Sequence, residues 1–274
     1  MTKRSSSNLS SPIRVEQVPA WAWGLWILPL GLWVIVSFVT SPTEIFLLIN
    51  QNARVLTDTI WVFFNLFGNG WFVFALTAPL LIIAPRLIVA GVIAGAITGA
   101  MSRILKLSLS FPRPASVLDP SSFYILGKPL TSLSMPSGHT LTAFSLATAL
   151  YFSSSPEKRK PFAWMFLIAI GTGFARVAVG AHWPADVMAG ASIGLFGGII
   201  GATLAQKVPA RFVEPSSWLT RLIGVCALLC LYVLLTTQID FVQSVPFQYG
   251  AAVVIVASML FFIRATLKKP SIRD

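Results

Sequence analysis

Eight long apolar runs follow one another along this chain, separated by short polar segments. Most of them approach the roughly 20 residues that a helix needs to cross the hydrocarbon core of a bilayer. Only 11% of the 274 residues are charged, whereas a soluble domain carries about 25%. The sequence therefore predicts an all-α, polytopic membrane helical bundle, and it excludes a soluble domain and a disordered chain. The runs lie near 20–40, 59–84, 87–109, 138–153, 162–181, 184–205, 219–238 and 247–264.

Two segments near the N-terminus need separate interpretation. The first run is longer than the roughly 7–15 residues of a signal-peptide core, and no small-residue cleavage site follows it. We therefore predict an uncleaved anchor, held at the headgroup level by Trp21, Trp23 and Trp26. The segment 43–57 is too polar to span a membrane, and it predicts a short helix lying at the interface.

The distribution of basic residues predicts the membrane topology. There are 20 Lys and Arg against 9 Asp and Glu, a formal net charge of +11. In a soluble protein this excess would favour nucleic-acid binding. Between apolar runs, the basic residues instead set the orientation of the helices across the membrane. Fourteen of the 20 fall in segments on the side of the two termini. The positive-inside rule then predicts an integral protein of the cytoplasmic (inner) membrane, with both termini cytoplasmic and no nucleic-acid partner. The six on the extracytoplasmic side are Arg54, Arg103, Lys106, Arg113, Lys128 and Arg176.

Three short polar segments lie on the predicted extracytoplasmic face. They are 106–114 (Lys-Leu-Ser-Leu-Ser-Phe-Pro-Arg-Pro), 136–139 (Pro-Ser-Gly-His) and 176–186 (Arg-Val-Ala-Val-Gly-Ala-His-Trp-Pro-Ala-Asp). The positions of the apolar runs do not depend on these segments. Their common location is therefore an independent indication that they form one site.

The cations and the helix start in these segments favour an anionic ligand. Lys106, Arg113 and Arg176 together would form a cradle for a phosphoryl group with its several charged oxygens. Ser137 and Gly138 open a helix, where free backbone N–H groups and the helix dipole favour an anion. Glycine also lets the backbone approach a ligand closely.

The two histidines of the chain, His139 and His182, both fall inside these segments. Histidine titrates near neutral pH, so one imidazole can act as a nucleophile and the other as a proton donor to a leaving alcohol. Asp186 follows His182 by four residues, and Pro184 is suited to the first turn of the next helix. A carboxylate at this spacing can orient the imidazole and stabilise its cationic form.

Read in order, the three segments give Lys-x6-Arg-Pro, Pro-Ser-Gly-His and Arg-x5-His-x3-Asp. This pattern resembles the three-part signature of the type-2 phosphatidic acid phosphatase superfamily, and the chain looks like a bacterial integral-membrane member. The resemblance covers roughly 58–205 and leaves the last two apolar runs outside it. One position departs from the pattern, because Ala175 stands where the family has a serine hydroxyl.

The resemblance implies a role for each matching residue. His182 would attack phosphorus and form a phosphohistidine, Asp186 would orient His182, and His139 would protonate the departing oxygen. Members of the family work without a metal or another cofactor, so none is expected here. The residues that would hold the phosphate oxygens are Lys106, Arg113, Ser137, Gly138 and Arg176.

The composition, the apolar runs and the resemblance together predict a domain organisation. Residues 1–19 would be a flexible cytoplasmic tail, and residues 20–205 a six-helix membrane phosphatase core. Residues 206–274 would add two transmembrane helices and a short cytoplasmic tail.

The implied activity is that of a lipid phosphatase whose substrate enters from the bilayer. Candidate substrates are undecaprenyl diphosphate, phosphatidylglycerol phosphate, phosphatidic acid and the phosphates of lipid A. A lipid-linked phosphotransferase is an alternative because it shares the phosphohistidine step. An anion transporter with broken helices is disfavoured, since the polar cluster lies at one face rather than at mid-membrane depth. The sequence leaves the oligomeric state open.

Several other residues receive a structural interpretation. Gly91, Gly95 and Gly99 are spaced by four and predict a close helix–helix seam. Cys226 and Cys230 lie one helical turn apart in an apolar run and are interpreted as packing residues. Arg54 and Lys128 are expected to reach the headgroups, and Arg103 to contact headgroups or support the site electrostatically. The polar and small residues of the second run could line a cavity or permit tight packing, and packing is the favoured interpretation: Asn65, Gly68, Asn69 and Gly70.

Overall fold

A computed structural model describes residues 17–267 of the chain. Within that range the secondary structure is helical and contains no strand, which confirms the predicted all-α membrane fold. Of the predicted tails, residues 1–16 and 268–274 lie outside the described residues. The helices are α1 (Ile27–Ser37), α2 (Pro42–Asn52), α3 (Asp58–Leu66), α4 (Gly70–Thr77), α5 (Leu80–Ile83), α6 (Pro85–Leu109), α7 (Pro114–Val117), α8 (Gly138–Ser153), α9 (Lys160–Ala178), α10 (Pro184–Lys207), α11 (Trp218–Thr236) and α12 (Val245–Leu267).

Six helical stretches of the described chain are long and apolar enough to cross a membrane. The second apolar run differs from the single span predicted over 59–84, because α3 and α4 are bent by 67° at the break between them. The side chain of Asn69 accepts the backbone N–H groups of Trp71 and Phe72 and so starts a new helix at this point. The run at 138–153 forms α8, which at 16 residues is shorter than these six stretches and is not one of them.

The centre of the bundle is formed by α6, α8 and α10, which pack closely because α10 is rich in glycine. A Cβ atom built on Gly190 or Gly194 would lie 2.6 Å from a backbone carbonyl oxygen of α8 or its N-cap, and one on Gly198 would lie 2.7 Å from another. Only hydrogen at these positions permits the approach of the two helices.

The seam predicted at Gly91, Gly95 and Gly99 of α6 is wrong. A Cβ atom on Gly95 or Gly99 would meet nothing within 4 Å, and one on Gly91 would meet only the side chain of Leu146. Spacing by four creates a smooth helix face, but the spacing does not determine what lies against that face. Here Gly91 and Gly95 border a cavity.

The segment predicted to form a short helix near 43–57 forms α2 followed by a 3₁₀ turn. Its buried Asn50 donates to the carbonyl oxygens of Tyr124, Val177 and Ala178 at 3.0–3.1 Å. The amide oxygen of Asn50 accepts the backbone N–H of Tyr124 at 2.8 Å. This one side chain fixes the long loop before α8 against the C-terminal end of α9.

The helices α11 and α12 form a hairpin that packs against α4 and α5. Their shared core contains Phe72, Ile223, Ile255 and Met259. Cys230 is buried and its thiol donates to the carbonyl oxygen of Trp71 at 3.1 Å. The hairpin therefore covers the broken span and brings its own turn beside the break.

Candidate active site

His182, in the turn between α9 and α10, and Asp186, in the first turn of α10, form a buried pair. Nδ1 of His182 lies 3.2 Å from Oδ2 of Asp186, and the two side chains are 2% and 1% exposed. The same carboxylate oxygen accepts the backbone N–H of Trp183 at 2.9 Å and the hydroxyl of Ser134. Asp186 therefore fixes the imidazole while two further donors hold the carboxylate in place.

The end of α9 explains the spacing between Arg176 and His182. The N–H of Ala181 donates to the carbonyl of Arg176 at 3.0 Å, and the N–H of Gly180 donates to that of Val177 at 3.0 Å. This is a Schellman cap, with Gly180 at φ +74° in the left-handed position where glycine is favoured. The chain reverses within four residues and enters α10 at Pro184.

Two of the predicted cations line the approach to His182. Nη1 of Arg113 lies 3.1 Å from Nε2 of His182, the ring nitrogen opposite Asp186, and also donates to the carbonyl of Ala181 at 2.7 Å. Nζ of Lys106 donates to the carbonyl oxygens of Leu133 and Ser134, at 3.0 Å each. Both cations thus hold backbone carbonyl groups near the His182–Asp186 pair. They also place positive charge beside this pair.

Arg176 is the most deeply buried of the three cations, at 4% exposure. It donates to the side-chain oxygen of Asn65 in α3, and its Nε atom has no hydrogen-bond partner among the described residues. Within residues 17–267, no carboxylate forms an ion pair with Arg176, Arg113 or Lys106. A buried guanidinium without a carboxylate is costly, so this cluster is suited to an anionic ligand.

The start of α8 faces the same cluster. The backbone N–H of Ser137 donates to the carbonyl of Asp186 at 2.9 Å, so the N-termini of α8 and α10 are joined. The hydroxyl of Ser137 accepts from Thr140 at 3.0 Å. A Cβ atom on Gly138 would meet nothing within 4 Å, which leaves room beside the first N–H groups of the helix.

His139, in the first turn of α8, contacts residues from distant parts of the chain. Its Nε2 atom lies 3.0 Å from Oδ2 of Asp240 in the turn between α11 and α12. Asn69 donates to the same carboxylate oxygen at 3.1 Å. A Cβ atom on Gly68 would overlap with His139. The His139 side chain therefore packs directly against the break between α3 and α4.

Electrostatics favour the deprotonated form of two groups at the site, a neutral His182 and an anionic Asp240. Burial, followed by the charges of the neighbouring arginines, holds the pKa of His182 well below its ordinary value of 6.5. A neutral His182 retains a lone pair on Nε2, the ring nitrogen that faces Arg113. Partial burial opposes ionisation of Asp240, but the charge of His139 and its hydrogen bond outweigh burial and lower the pKa of Asp240 to about 2. Asp240 is therefore an anion at any physiological pH.

Sequence reasoning missed four residues of the site. For the polar side chains of the second apolar run the sequence favours packing over a cavity-lining role, yet Asn65 and Asn69 contact the site. The turn after α11 lies on the predicted extracytoplasmic side, and its one acidic residue was the available signal. The missed residues are Asn65, Asn69, Ser134 and Asp240.

A cavity of about 780 Å³ adjoins His139 and extends between α4, α6, α8 and α11. Gly138 and Asn69 line its polar end, and Gly91, Cys226 and Leu229 line other parts of its wall. Among the remaining lining residues aliphatic and aromatic side chains predominate, so the cavity offers an apolar space next to His139.

The donor set of the site is cationic and contains few metal ligands. Within the described chain, no three His, Cys, Asp or Glu side chains come together as a group that could hold a metal ion. Positive charge at the site comes from lysine and arginine side chains, which can stabilise a phosphoryl group directly.

Comparison with known proteins assigns the family. A family model for the PAP2 superfamily matches residues 86–209, the part of the chain that carries the three polar segments. An undecaprenyl-diphosphatase from Sulfolobus acidocaldarius is 30% identical over 181 residues, which are 62% of this chain and 82% of that protein. The chain belongs to the PAP2 superfamily.

Other PAP2-related proteins agree with this assignment. A lipid A 1-phosphatase from Rhizobium johnstonii is 33% identical over 126 residues, 44% of this chain and 49% of that protein. The crystal structure of Aquifex aeolicus LpxE is similar in fold, with a TM-score of 0.50 and 35% identity, over 58% of this chain and 93% of that chain. This PAP2 protein is therefore a membrane lipid phosphatase, a hydrolase of phosphate esters.

Proposed function

We propose that this PAP2 protein hydrolyses lipid phosphates or diphosphates through a metal-independent phosphohistidine mechanism with His182 as the nucleophile. The observation that carries the proposal is the orientation of His182. Its Nδ1 atom is held by Asp186 at 3.2 Å, while its Nε2 atom lies 3.1 Å from the Arg113 guanidinium, where a bound phosphoryl group would sit.

In the first step, Nε2 of neutral His182 forms a bond to phosphorus as the bond to the lipid oxygen breaks. The resulting imidazolium is stabilised by the Asp186 carboxylate. His139 gives a proton to the departing oxygen, so the lipid leaves as an alcohol or, from a diphosphate, as a monophosphate. The substrate oxygens are held by the cations and by the start of α8: Lys106, Arg113, Arg176, Ser137 and Gly138.

In the second step, water attacks the phosphohistidine and the bond between phosphorus and Nε2 breaks. Neutral His139 takes the proton of the attacking water and becomes cationic again. Inorganic phosphate leaves, and His182 returns to its neutral form. The cationic cluster stabilises the charge that develops on the phosphoryl oxygens in both steps.

The apolar cavity beside His139 supports a substrate with an acyl or prenyl chain that enters from the bilayer. We propose that part of this chain occupies the cavity while the phosphate reaches the cations. Undecaprenyl diphosphate, phosphatidylglycerol phosphate, phosphatidic acid and lipid A all combine a phosphate with such an anchor. The names of the relatives favour undecaprenyl diphosphate and lipid A for the first assays.

The charge distribution supports a position in the cytoplasmic membrane with the site on the extracytoplasmic face. In the predicted topology, fourteen of the 20 Lys and Arg residues fall in sequence segments on the side opposite the site, which the positive-inside rule assigns to the cytoplasm. A phosphotransferase would use the same first step and replace water by a lipid or sugar hydroxyl. A product other than inorganic phosphate would identify that reaction.

The deciding experiment measures phosphate release by the detergent-purified protein from a panel of the four lipids. We expect the wild type to release phosphate from at least one lipid and His182→Ala to release none. Rapid quenching should trap an acid-labile phosphoenzyme in the wild type and none in His182→Ala. Asp119→Asn, at an exposed residue of the loop before α8, is the control and should retain activity. Undiminished release by His182→Ala would refute the proposal.

A further inference from the structure

The hairpin of α11 and α12 lies outside the residues that match the PAP2 family model, yet its turn reaches the active site. Oδ2 of Asp240 in this turn lies 3.0 Å from Nε2 of His139. We propose that Asp240 is a positioning residue: it holds Nε2, keeps the imidazole cationic for proton donation, and leaves Nδ1 of His139 for the leaving group. This inference rests on the proposed function, in which His139 is the proton donor.

The turn that carries Asp240 is held by polar side chains at the start of α12. Gln248 is 2% exposed, accepts the backbone N–H of Ile239 at 3.2 Å and donates to the carbonyl of Thr237 at 2.8 Å. The fully buried hydroxyl of Ser244 lies 2.5 Å from the carbonyl oxygens of Ile239 and Phe241, the two neighbours of Asp240. The backbone on both sides of the carboxylate is therefore fixed.

The ring of His139 has one engaged and one available nitrogen. Nε2 faces Asp240, whereas Nδ1 takes part in no hydrogen bond with the described residues. The pair at His182 is arranged the other way, because Asp186 holds Nδ1 of that ring and Nε2 faces the arginine. The site thus contains two His–Asp pairs that present different ring nitrogens, one to attack and one to donate.

The charges around His139 explain the need for a carboxylate. Arg176 from α9 and Arg113 from the segment after α6 both act on the imidazole. His182 faces it from the turn before α10, and Asn69 beside the pair is neutral. Among the described residues, Asp240 is the carboxylate paired with His139. An opposite charge at this distance favours the cationic ring, whereas the arginines favour the neutral ring that cannot donate a proton.

The protons balance over the two proposed steps. As the bond between phosphorus and the lipid oxygen breaks, the Nδ1 proton passes to that oxygen. His139 becomes neutral and its Nε2 proton stays in the bond to Asp240. When water attacks the phosphohistidine, Nδ1 takes up its proton and the cation is restored. Asp240 neither gains nor loses a proton in the cycle.

Asp240→Asn is the informative substitution because of the backbone conformation. Asp240 has φ +52°, in the left-handed region that Asn and Asp tolerate better than other non-glycine residues. Asparagine therefore keeps the backbone and the size of the side chain and removes the charge. The matched control is Asp119→Asn, an exposed acid in the loop before α8 that contacts its own turn at Ser121.

The test compares an alkyl lipid phosphate with an activated aryl phosphate, whose leaving group needs little protonation. In Asp240→Asn we expect kcat on the alkyl substrate to fall about 100-fold and kcat on the aryl substrate to change at most about threefold. The alkaline limb of the alkyl pH profile should move to lower pH by about one unit. Asp119→Asn should match the wild type on both substrates. Activity on the aryl substrate also reports that the variant is folded.

A double variant separates positioning of His139 from a structural role. If Asp240 acts through His139, then His139→Ala combined with Asp240→Asn should be no slower than His139→Ala alone. A further loss in the double variant would overturn the inference, as would equal losses on the two substrates or a gain of activity in Asp240→Asn. An active wild type with an unaffected Asp240→Asn refutes this inference alone, whereas an inactive wild type refutes the proposed function as well.

Discussion

The carbonyl oxygen of Arg176 accepts the backbone N–H of His182 at 3.2 Å. A buried cation and the proposed nucleophile are thus fixed by one helix end rather than by two independent loops. The cap depends on Gly180, whose φ is +74° and whose added Cβ would lie 2.5 Å from the carbonyl oxygen of Tyr124. Substitution at Gly180 should therefore move both functional side chains together.

We predict that Gly180→Ala lowers stability by about 1–3 kcal/mol and kcat by about 100-fold. The stability loss follows from the left-handed backbone and the clash, and the rate loss from displacement of His182 relative to the cations. Thermal unfolding and phosphate release in detergent measure the two effects. Gly31→Ala in α1, where an added Cβ meets nothing within 4 Å, is the control. Wild-type activity in Gly180→Ala would show that the cap does not position the site.

The close approach of α10 to α8 yields a second prediction. Gly194→Ala places a Cβ 2.6 Å from the carbonyl oxygen of Leu141 and should cost about 1–3 kcal/mol through the separation of the helices. Gly99→Ala in α6 meets open space and should leave stability unchanged or slightly raised. The difference in apparent Tm between the two variants measures the effect. Equal Tm values would argue against a glycine-dependent seam.

The residues that sequence reasoning could place are those whose partners are close in the chain. His182 and Asp186 are separated by four residues across the start of a helix, so their spacing alone predicts a contact. The helical fold follows equally from local composition, since each apolar run must satisfy its backbone within itself. These inferences needed no knowledge of how the helices pack.

The residues that sequence reasoning could not place are joined by tertiary packing. Asp240 and His139 are 101 residues apart, and their contact depends on the hairpin docking against a bent span. The bend itself arises from the Asn69 cap, which was not recognisable inside an apolar run. The prediction of a glycine seam on α6 was wrong for the same reason. Glycines spaced by four occur on both α6 and α10, and only the positions of the neighbouring helices show which set packs closely.

We predict that chelation leaves activity unchanged. The site supplies positive charge from Lys106, Arg113 and Arg176, and these groups can stabilise a phosphoryl transition state without a metal. Phosphate release should be the same in excess EDTA and in buffer containing Mg²⁺. Loss of most activity in EDTA, restored by Mg²⁺, would contradict the metal-independent mechanism.

Two engineered cysteines test the topology. Ser121 is exposed in the loop before α8, and Ser155 is exposed in the loop that joins α8 to α9 at the other end of the bundle. In a Cys226→Ser background, with Cys230 buried, an impermeant thiol reagent added to intact cells should label Ser121→Cys and not Ser155→Cys. Both should react after the membrane is permeabilised. The reverse pattern would place the active site on the cytoplasmic face.

The His139–Asp240 pair makes stability depend on acidity. The pKa of Asp240 is lowered from 3.8 to about 2, with partial burial opposing and the charge of His139 favouring ionisation. A group whose pKa is depressed by folding contributes stability that is fully present above its unfolded value and is lost as pH falls toward the folded value. The contribution of Asp240 should therefore be complete above about pH 4 and should decline between pH 4 and pH 2. Asp240→Asn lacks this group, so its apparent Tm should fall less than that of the wild type over this interval. Parallel Tm curves for the two proteins would show that the pair does not stabilise the fold.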